Sequence, residues 1–251
     1  MQLKEERRKL ILDELLKNET VYVSELSKEF SVSYETIRKD LSYLENQGLL
    51  IKSHGGATIK QNATEHSFNT RQEENIVAKQ ALAKKAMELI PDKSSIIIAT
   101  GSTTLELAKL LSLKSGYKIF TDSLPVASVL ADSNNQVFIF GGRIRTKSSS
   151  VYGGWTINAI EHIKADIAFL GTDGFSNLDG PTTPSSSDAF VDQTILKHAY
   201  KKYIVADHTK FSRNSLYKIC DWSDVTGLIT NSNANPEQIE EIEKHTKVIL
   251  C

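Results

Sequence analysis

The stretch SIIIATGSTTLELAKLL, residues 95–111, decides the fold of most of this chain. It opens with a run of isoleucines that is typical of a buried strand and ends with leucines at helical spacing. Between them lies a turn, residues 100–104, built from hydroxyl side chains and one glycine. Such a turn at the start of a helix can bind an anion, because free backbone N–H groups and the helix dipole converge there.

Four more apolar strand runs end in short polar or glycine turns further along the chain. Apolar strands that alternate with amphipathic helices predict an α/β domain with a doubly wound, mostly parallel sheet covered on both faces. We place this domain at residues 76–251. Ligands of such sheets bind outside the carboxyl ends of the strands, so the turns form the candidate binding site. The four turns are Asp122-Ser123, Gly141-Gly142, Gly171-Thr172-Asp173-Gly174 and Asp207-His208.

The chemistry of these turns indicates a small phosphate ester as ligand. The first turn lacks the glycine and lysine spacing of nucleotide and dinucleotide loops. A nearby arginine or lysine can neutralise a phosphate, and aspartates can accept hydrogen bonds from sugar hydroxyls, so we expect a phosphosugar. The alternative is structural: the hydroxyls cap helices, Arg143 lies on a surface loop and Asp173 forms a turn. The candidate ligand contacts are Gly101, Ser102, Thr103, Thr104, Asp122, Ser123, Arg143, Asp173 and Lys210.

Residues 1–57 have a different texture, because they are rich in charge and their apolar residues recur at helical spacing in three short segments. Ile37, Leu41 and Leu44 form the stripe of the third segment, and Ser33 precedes it as a helix cap. An apolar strand and a glycine turn follow Gly48. These features predict a winged helix-turn-helix over residues 1–57, whose third helix enters the major groove of DNA.

The faces of the third helix that its apolar stripe leaves free carry the side chains expected to contact DNA. An arginine can read guanine with two hydrogen bonds, and Arg38 is the candidate for this contact. The alternative is a dimerisation or docking module with a solvated charged face, since residues 1–57 hold 9 basic and 10 acidic residues. The candidate DNA contacts are Ser33, Tyr34, Thr36, Arg38 and Lys39 on the helix, and Lys52 and His54 on the wing.

Composition limits the function classes. The 251 residues are 40% hydrophobic and exceed the usual size of one domain, so two folded units are expected, with residues 58–75 as a linker. The net charge of −1 gives no overall attraction to nucleic acid, so DNA binding must depend on a local surface. Two cysteines supply neither a disulfide framework nor a metal site, and no apolar run reaches the ~18 residues of a membrane span. We therefore expect a cytoplasmic protein without cofactor, metal or membrane contact.

Eight motifs together resemble the DeoR family of transcription regulators over nearly the full chain. The resemblance implies a winged helix-turn-helix joined to an effector domain similar to sugar-phosphate isomerases, and a repressor of sugar operons that releases DNA when a phosphorylated sugar binds. It places the effector at residues 101–104, Asp122, Ser123, Asp173 and Lys210. Asp122 departs from a common Asn, and His208-Thr209 from a common pair of serines. The motifs are RKLIL (8–12), VSYETIRKDL (32–41), LENQGLL (44–50), HGGA (54–57), GSTT (101–104), TDSLPVA (121–127), GGR (141–143) and ADHTKF (206–211).

The alternative function is a sugar-phosphate isomerase or deaminase-like enzyme with an appended helix-turn-helix, because a fold alone does not fix a function. Isomerisation needs a carboxylate base and a group that stabilises the enediolate. Asp173 or Asp188 can supply the carboxylate, but no lysine occurs between Lys164 and Lys197. We expect binding without turnover, by a homo-oligomer, a dimer or tetramer, because one helix makes too few base contacts for a specific operator.

Overall fold

The computed structural model describes residues 4–18, 20–46, 49–53, 55–59, 65–175 and 177–251. The chain divides into two compact units, residues 1–64 and residues 65–251. No helix within the described ranges is long and apolar enough to cross a membrane.

The first unit is a small helical bundle with a three-stranded antiparallel sheet in the order β1-β3-β2. Its core contains the predicted stripe, since Ile37, Leu41 and Leu44 are all buried. Four residues, 30–33, connect the second and third helices, so the predicted helix-turn-helix is present. The elements are α1 (Lys4–Asn18), β1 (Thr20–Tyr22), α2 (Val23–Glu29), α3 (Tyr34–Asn46), β2 (Leu50–Ser53) and β3 (Gly56–Ile59).

The wing, which consists of β2 and β3, depends on a close backbone approach at Gly56. A Cβ atom at this position would lie 2.1 Å from the carbonyl oxygen of Val21, so no larger residue fits while β3 pairs with β1. β3 continues to Ile59, two residues beyond the predicted end of the domain at residue 57. The paired strand explains the difference, because the hydrogen bonds of β1 and β2 both extend along β3.

The second unit is built around a seven-stranded parallel sheet with helices on both faces. The elements are α4 (Phe68–Glu73), α5 (Ile76–Met87), β4 (Ser95–Ile98), α6 (Ser102–Leu111), β5 (Ser115–Thr121), α7 (Leu124–Leu130), β6 (Asn134–Ile139), β7 (Arg143–Arg145), β8 (Ser150–Tyr152), α8 (Gly154–Glu161), β9 (Ala165–Leu170), β10 (Thr182–Thr183), α9 (Ser186–Lys197), β11 (Ala199–Val205), β12 (Tyr217–Lys218), β13 (Gly227–Thr230), α10 (Pro236–Glu243) and β14 (Lys247–Leu250).

The strand order is β14-β13-β11-β9-β4-β5-β6. From β4 the chain adds strands in one direction, and from β9 it adds them in the other, so the topology switches between β4 and β9. Alternate residues of each strand enter two separate apolar cores. Ile97, for example, lies in one core and Ile96 and Ile98 in the other. The predicted doubly wound sheet is confirmed, and ligands of such sheets bind at the switch point.

The predicted linker over residues 58–75 differs from the structure. Residues 65–75 belong to the second unit and contain α4, where Phe68 is 2% exposed. The Phe68 N–H donates to the carbonyl of Lys147 at 2.9 Å. Lys79 on α5 donates from its ammonium group to the carbonyls of Arg71 and Glu74. Buried contacts therefore hold this segment, whose polar composition suggested a linker.

Candidate functional site

A polar cleft lies where β4 and β9 end, at the switch point of the sheet. The turns that follow these strands approach closely, since a Cβ atom at Gly171 would lie 3.9 Å from the Cα atom of Gly101. Fifteen residues line the cleft: Glu65, Arg71, Thr100, Gly101, Ser102, Thr103, Ser148, Gly171, Thr172, Asp173, Thr183, Asp188, Asp192, Lys210 and Ile219.

The N-terminus of α6 forms one wall of the cleft. Gly101 precedes the helix and supplies no side-chain cap. Ser102 and Thr103 line the cleft at 8% and 6% exposure, and neither hydroxyl bonds to a residue that the structure describes. The Thr104 hydroxyl instead donates to the carbonyls of Ala99 at 2.7 Å and Gly101 at 2.9 Å. Thr104 therefore fixes the turn, and the first backbone N–H groups of α6 remain available to an anion.

Asp122 and Ser123, predicted as ligand contacts, lie behind this turn. The Asp122 carboxylate accepts a 2.8 Å hydrogen bond from the Thr100 N–H and is 2% exposed. Burial, and next the neighbouring charge of Asp188, raise the pKa of Asp122 to about 7. The Ser123 hydroxyl accepts from the Val126 N–H and caps α7. Both side chains are buried and bind backbone N–H groups, and neither is among the residues that line the cleft.

The cations of the cleft differ in part from the prediction. Lys210 lines the cleft as expected, and burial lowers the pKa of its ammonium group while Asp173 opposes this effect. Arg143 is exposed on β7, outside the lining. Two residues later, Arg145 binds Glu65, a residue of the cleft lining, with both terminal nitrogens at 2.5 Å.

Arg71 was not predicted and lies in the cleft. Its Nη1 atom is 3.6 Å from Asp173, and its buried Nε atom has no hydrogen-bond partner among the described residues. A buried donor without a partner is costly, so it favours a ligand that accepts a hydrogen bond. Arg71 lies in the polar segment that the sequence presents as a linker, and no sequence signal marks it.

Two carboxylates on α9, Asp188 and Asp192, also line the cleft. Asp188 lies 3.2 Å from Arg145, yet burial raises its pKa to about 6 against the effect of that arginine. Burial and the charge of Asp122 raise the pKa of Asp192 well above its usual value. Both residues lie four apart on α9 and face the cleft together. The sequence singled out Asp188 only as a remote base, and the i, i+4 spacing was the available signal for Asp192.

The residues of α3 that were predicted to contact DNA lie outside its buried apolar stripe. The Ser33 hydroxyl accepts from the Thr36 N–H at 3.2 Å and caps α3. Tyr34, Arg38 and Lys39 are exposed, and Arg38 forms no side-chain hydrogen bond with the described residues. Lys39 is paired with Glu35 at 2.8 Å on the surface.

The wing lies against the same helix. Lys52 on β2 donates from its ammonium group to the Ser42 hydroxyl at 3.0 Å, and its backbone N–H donates to Glu45. His54 lies outside the described residues. No group of metal-binding side chains occurs in the described part of the chain.

Two family models, both of DeoR domains, match successive parts of the chain. The model of the DeoR-like helix-turn-helix domain matches residues 7–63, and that of the DeoR C terminal sensor domain matches residues 74–232. The HTH-type transcriptional regulator GolR of Listeria innocua is 35% identical over 92% of this chain and 91% of its own length. A lactose phosphotransferase system repressor of Lactococcus lactis is 30% identical over 98% of both. A solved ribose 5-phosphate isomerase from Methanocaldococcus jannaschii is 16% identical, covers 55% of each chain and has a TM-score of 0.41.

Proposed function

The chain belongs to the DeoR family of transcriptional regulators, and on that premise we propose that it represses an operon for sugar uptake or catabolism and releases its operator when a phosphorylated sugar binds in the cleft. The observation that carries the effector assignment is the uncapped N-terminus of α6. Its first N–H groups, the hydroxyls of Ser102 and Thr103, and the cations Arg71 and Lys210 line one cleft, and the two hydroxyls bond to no residue in the described ranges. Backbone donors and cations together suit a phosphate dianion.

Operator binding is assigned to the exposed face of α3. Arg38 contacts a base, while Tyr34, Thr36 and Lys39 contact the sugar-phosphate backbone of the DNA and fix the position of the helix along the duplex. One such face covers too little DNA for a specific site, so we propose a homo-oligomer that binds paired half-sites.

The cleft is connected to the DNA-binding unit through a residue at the start of the second unit. Glu65 is the first residue of the second unit, lines the cleft and is held by Arg145. A phosphate dianion in the cleft attracts Arg145 and weakens its ion pair with Glu65. The weaker ion pair changes the conformation of the segment that begins at Glu65, which directly follows the DNA-binding unit in the chain. An effector shifts DNA binding only if it binds the two states unequally, and this competition for Arg145 supplies the difference.

We propose that the cleft binds its ligand without turnover. The relatives are transcriptional regulators, and Asp173, a candidate base, lies 3.6 Å from Arg71. Incubating each bound sugar phosphate with the protein and measuring the ketose and aldose forms tests this proposal. Accumulation of an isomer at a rate proportional to protein concentration would contradict it.

The decisive experiment combines a thermal-shift screen of phosphorylated sugars with operator binding in a gel-shift assay. A ligand that binds only the native state raises its melting temperature. We expect Ser102→Ala and Lys210→Met to bind operator like the wild type and to lose the effector response. Arg143→Met is the matched control, because this exposed cation lies outside the cleft lining and its loss should leave the response intact. An unchanged dose response in both cleft variants would refute the site.

A further inference from the structure

The carboxylates around the cleft have partners, with one exception. Glu65 accepts two hydrogen bonds from Arg145, and Asp188 lies 3.2 Å from the same guanidinium. Asp173 lies 3.6 Å from Arg71, and Asp122 accepts from the Thr100 N–H. Asp192 forms no hydrogen bond or ion pair with any residue that the structure describes.

Asp192 is nevertheless buried, at 8% exposure, and lines the cleft from the middle of α9. The titratable groups that face it are Asp122 after β5, Asp173 after β9, Asp188 one helical turn earlier, and Cys220. All four are acids. The cations of the cleft lining, Arg71 and Lys210, interact with Asp173, and among the residues that the structure describes none forms an ion pair with Asp192. A buried polar group without a partner in a binding cleft indicates that a bound molecule supplies the partner.

From this geometry we infer that Asp192 is a specificity-determining residue, and that the effector is a phosphorylated amino sugar whose protonated amine binds Asp192 while its phosphate binds the N-terminus of α6. The inference rests on the proposed function of the cleft and names the ligand class within it. It assigns opposite charges to the two ends of the ligand, one for the N-terminus of α6 and the other for Asp192, both of which line the cleft.

The choice of an amine over a hydroxyl follows from charge. A phosphate dianion adds negative charge to a cleft that already holds crowded carboxylates, and a neutral hydroxyl does nothing to offset it. An ammonium group offsets part of that charge and makes a charge-assisted hydrogen bond, which is stronger than the bond of a hydroxyl. It also favours the ionised form of Asp192, whose pKa burial and the neighbouring acids raise. Binding of the amine should therefore release a proton from Asp192.

The test uses matched probes in titration calorimetry with the full chain: glucosamine 6-phosphate against glucose 6-phosphate, and galactosamine 6-phosphate against galactose 6-phosphate. We expect one amino sugar phosphate to bind roughly tenfold or more tightly than its hydroxyl counterpart. Repeating the titration at about pH 6 in buffers of different ionisation enthalpy should show more proton release for the amine, which is already protonated at that pH. Proton release from the phosphate group is common to both probes and cancels in the comparison.

Asp192→Asn keeps the size of the side chain and removes its charge, so the variant should fold. We expect it to bind both members of the pair with similar affinity and to abolish the extra proton release. Asp132→Asn, at an exposed acid outside the cleft lining, is the control and should behave like the wild type. If the wild type binds the two members of each pair with equal affinity, the inference is wrong, although the protein is still a phosphosugar sensor. If the protein binds neither the four probes nor any other phosphorylated sugar, the proposed function and the inference are both wrong.

Discussion

Asp122 is a single residue whose charge opposes folding. Burial raises the pKa of Asp122 from 3.8 to about 7. The folded state therefore favours the protonated carboxyl, whose contribution to stability is present in full below pH 3.8 and is lost as the pH rises through 7. Asp122→Asn should therefore raise the free energy of unfolding at pH 8, by at most about 4 kcal/mol, and reduce the loss of stability between pH 4 and pH 7. Urea denaturation at pH 5 and pH 8 measures both effects. Asp188 and Asp192 retain part of the slope in the variant, because their pKa values are also raised.

Removal of the Asp122 side chain separates its charge from its hydrogen bond. Asp122→Ala leaves the Thr100 N–H without the acceptor that it has at 2.8 Å, so this variant should be less stable than Asp122→Asn at every pH. A variant Asp122→Asn with the same pH dependence as the wild type would show that this carboxylate is not the group that titrates.

Arg38 carries the prediction for sequence recognition at the residue scale. Arg38→Ala should abolish operator specificity, since each lost two-bond contact to guanine costs about 1–3 kcal/mol of discrimination. Arg38→Lys keeps the charge and should retain nonspecific affinity while losing specificity. Footprinting and competition with nonspecific DNA at fixed salt measure the two quantities. Unchanged specificity in Arg38→Ala would place the base contact elsewhere on the unit.

At the scale of elements, one buried carboxylate joins α1 to α3. Asp40 accepts from Arg7 and Arg8 at 2.8 Å, and the Arg8 guanidinium stacks 3.6 Å from the Tyr43 ring. Asp40→Ala should destabilise the first unit by about 3 kcal/mol, because it leaves the buried Arg7 charge uncompensated. Glu35→Gln is the contrast, since its pair with Lys39 is exposed and its loss should leave the melting transition unchanged. Circular dichroism melts that are equal for both variants would contradict this role of Asp40.

The same scale shows what the sequence can and cannot predict. The stripe of Ile37, Leu41 and Leu44 and the strand-turn-helix at residues 95–111 have strong local periods, so α3, β4 and α6 follow from local pattern. Contacts over long distances in sequence leave no such pattern. Arg145 reaches Glu65, 80 residues away, and the sequence favoured Arg143 because glycines precede it. The Asp122 carboxylate faces the Thr100 N–H because the register of β4 with β5 brings Ile98 beside Thr121.

For the whole molecule, the proposed coupling must act in both directions. If the effector lowers operator affinity by a given factor, the operator lowers effector affinity by the same factor, because both describe one coupling free energy. Calorimetric titration of the effector with and without saturating operator DNA, and of the operator with and without effector, should give equal ratios. Glu65→Gln should bring both ratios toward one, since it weakens the contact of Arg145 with the segment that leads to the DNA-binding unit. Glu241→Gln is the control, because its exposed pair with Lys244 on α10 lies outside the cleft lining. A Glu65 variant with both ratios unchanged would show that the signal leaves the cleft by another route.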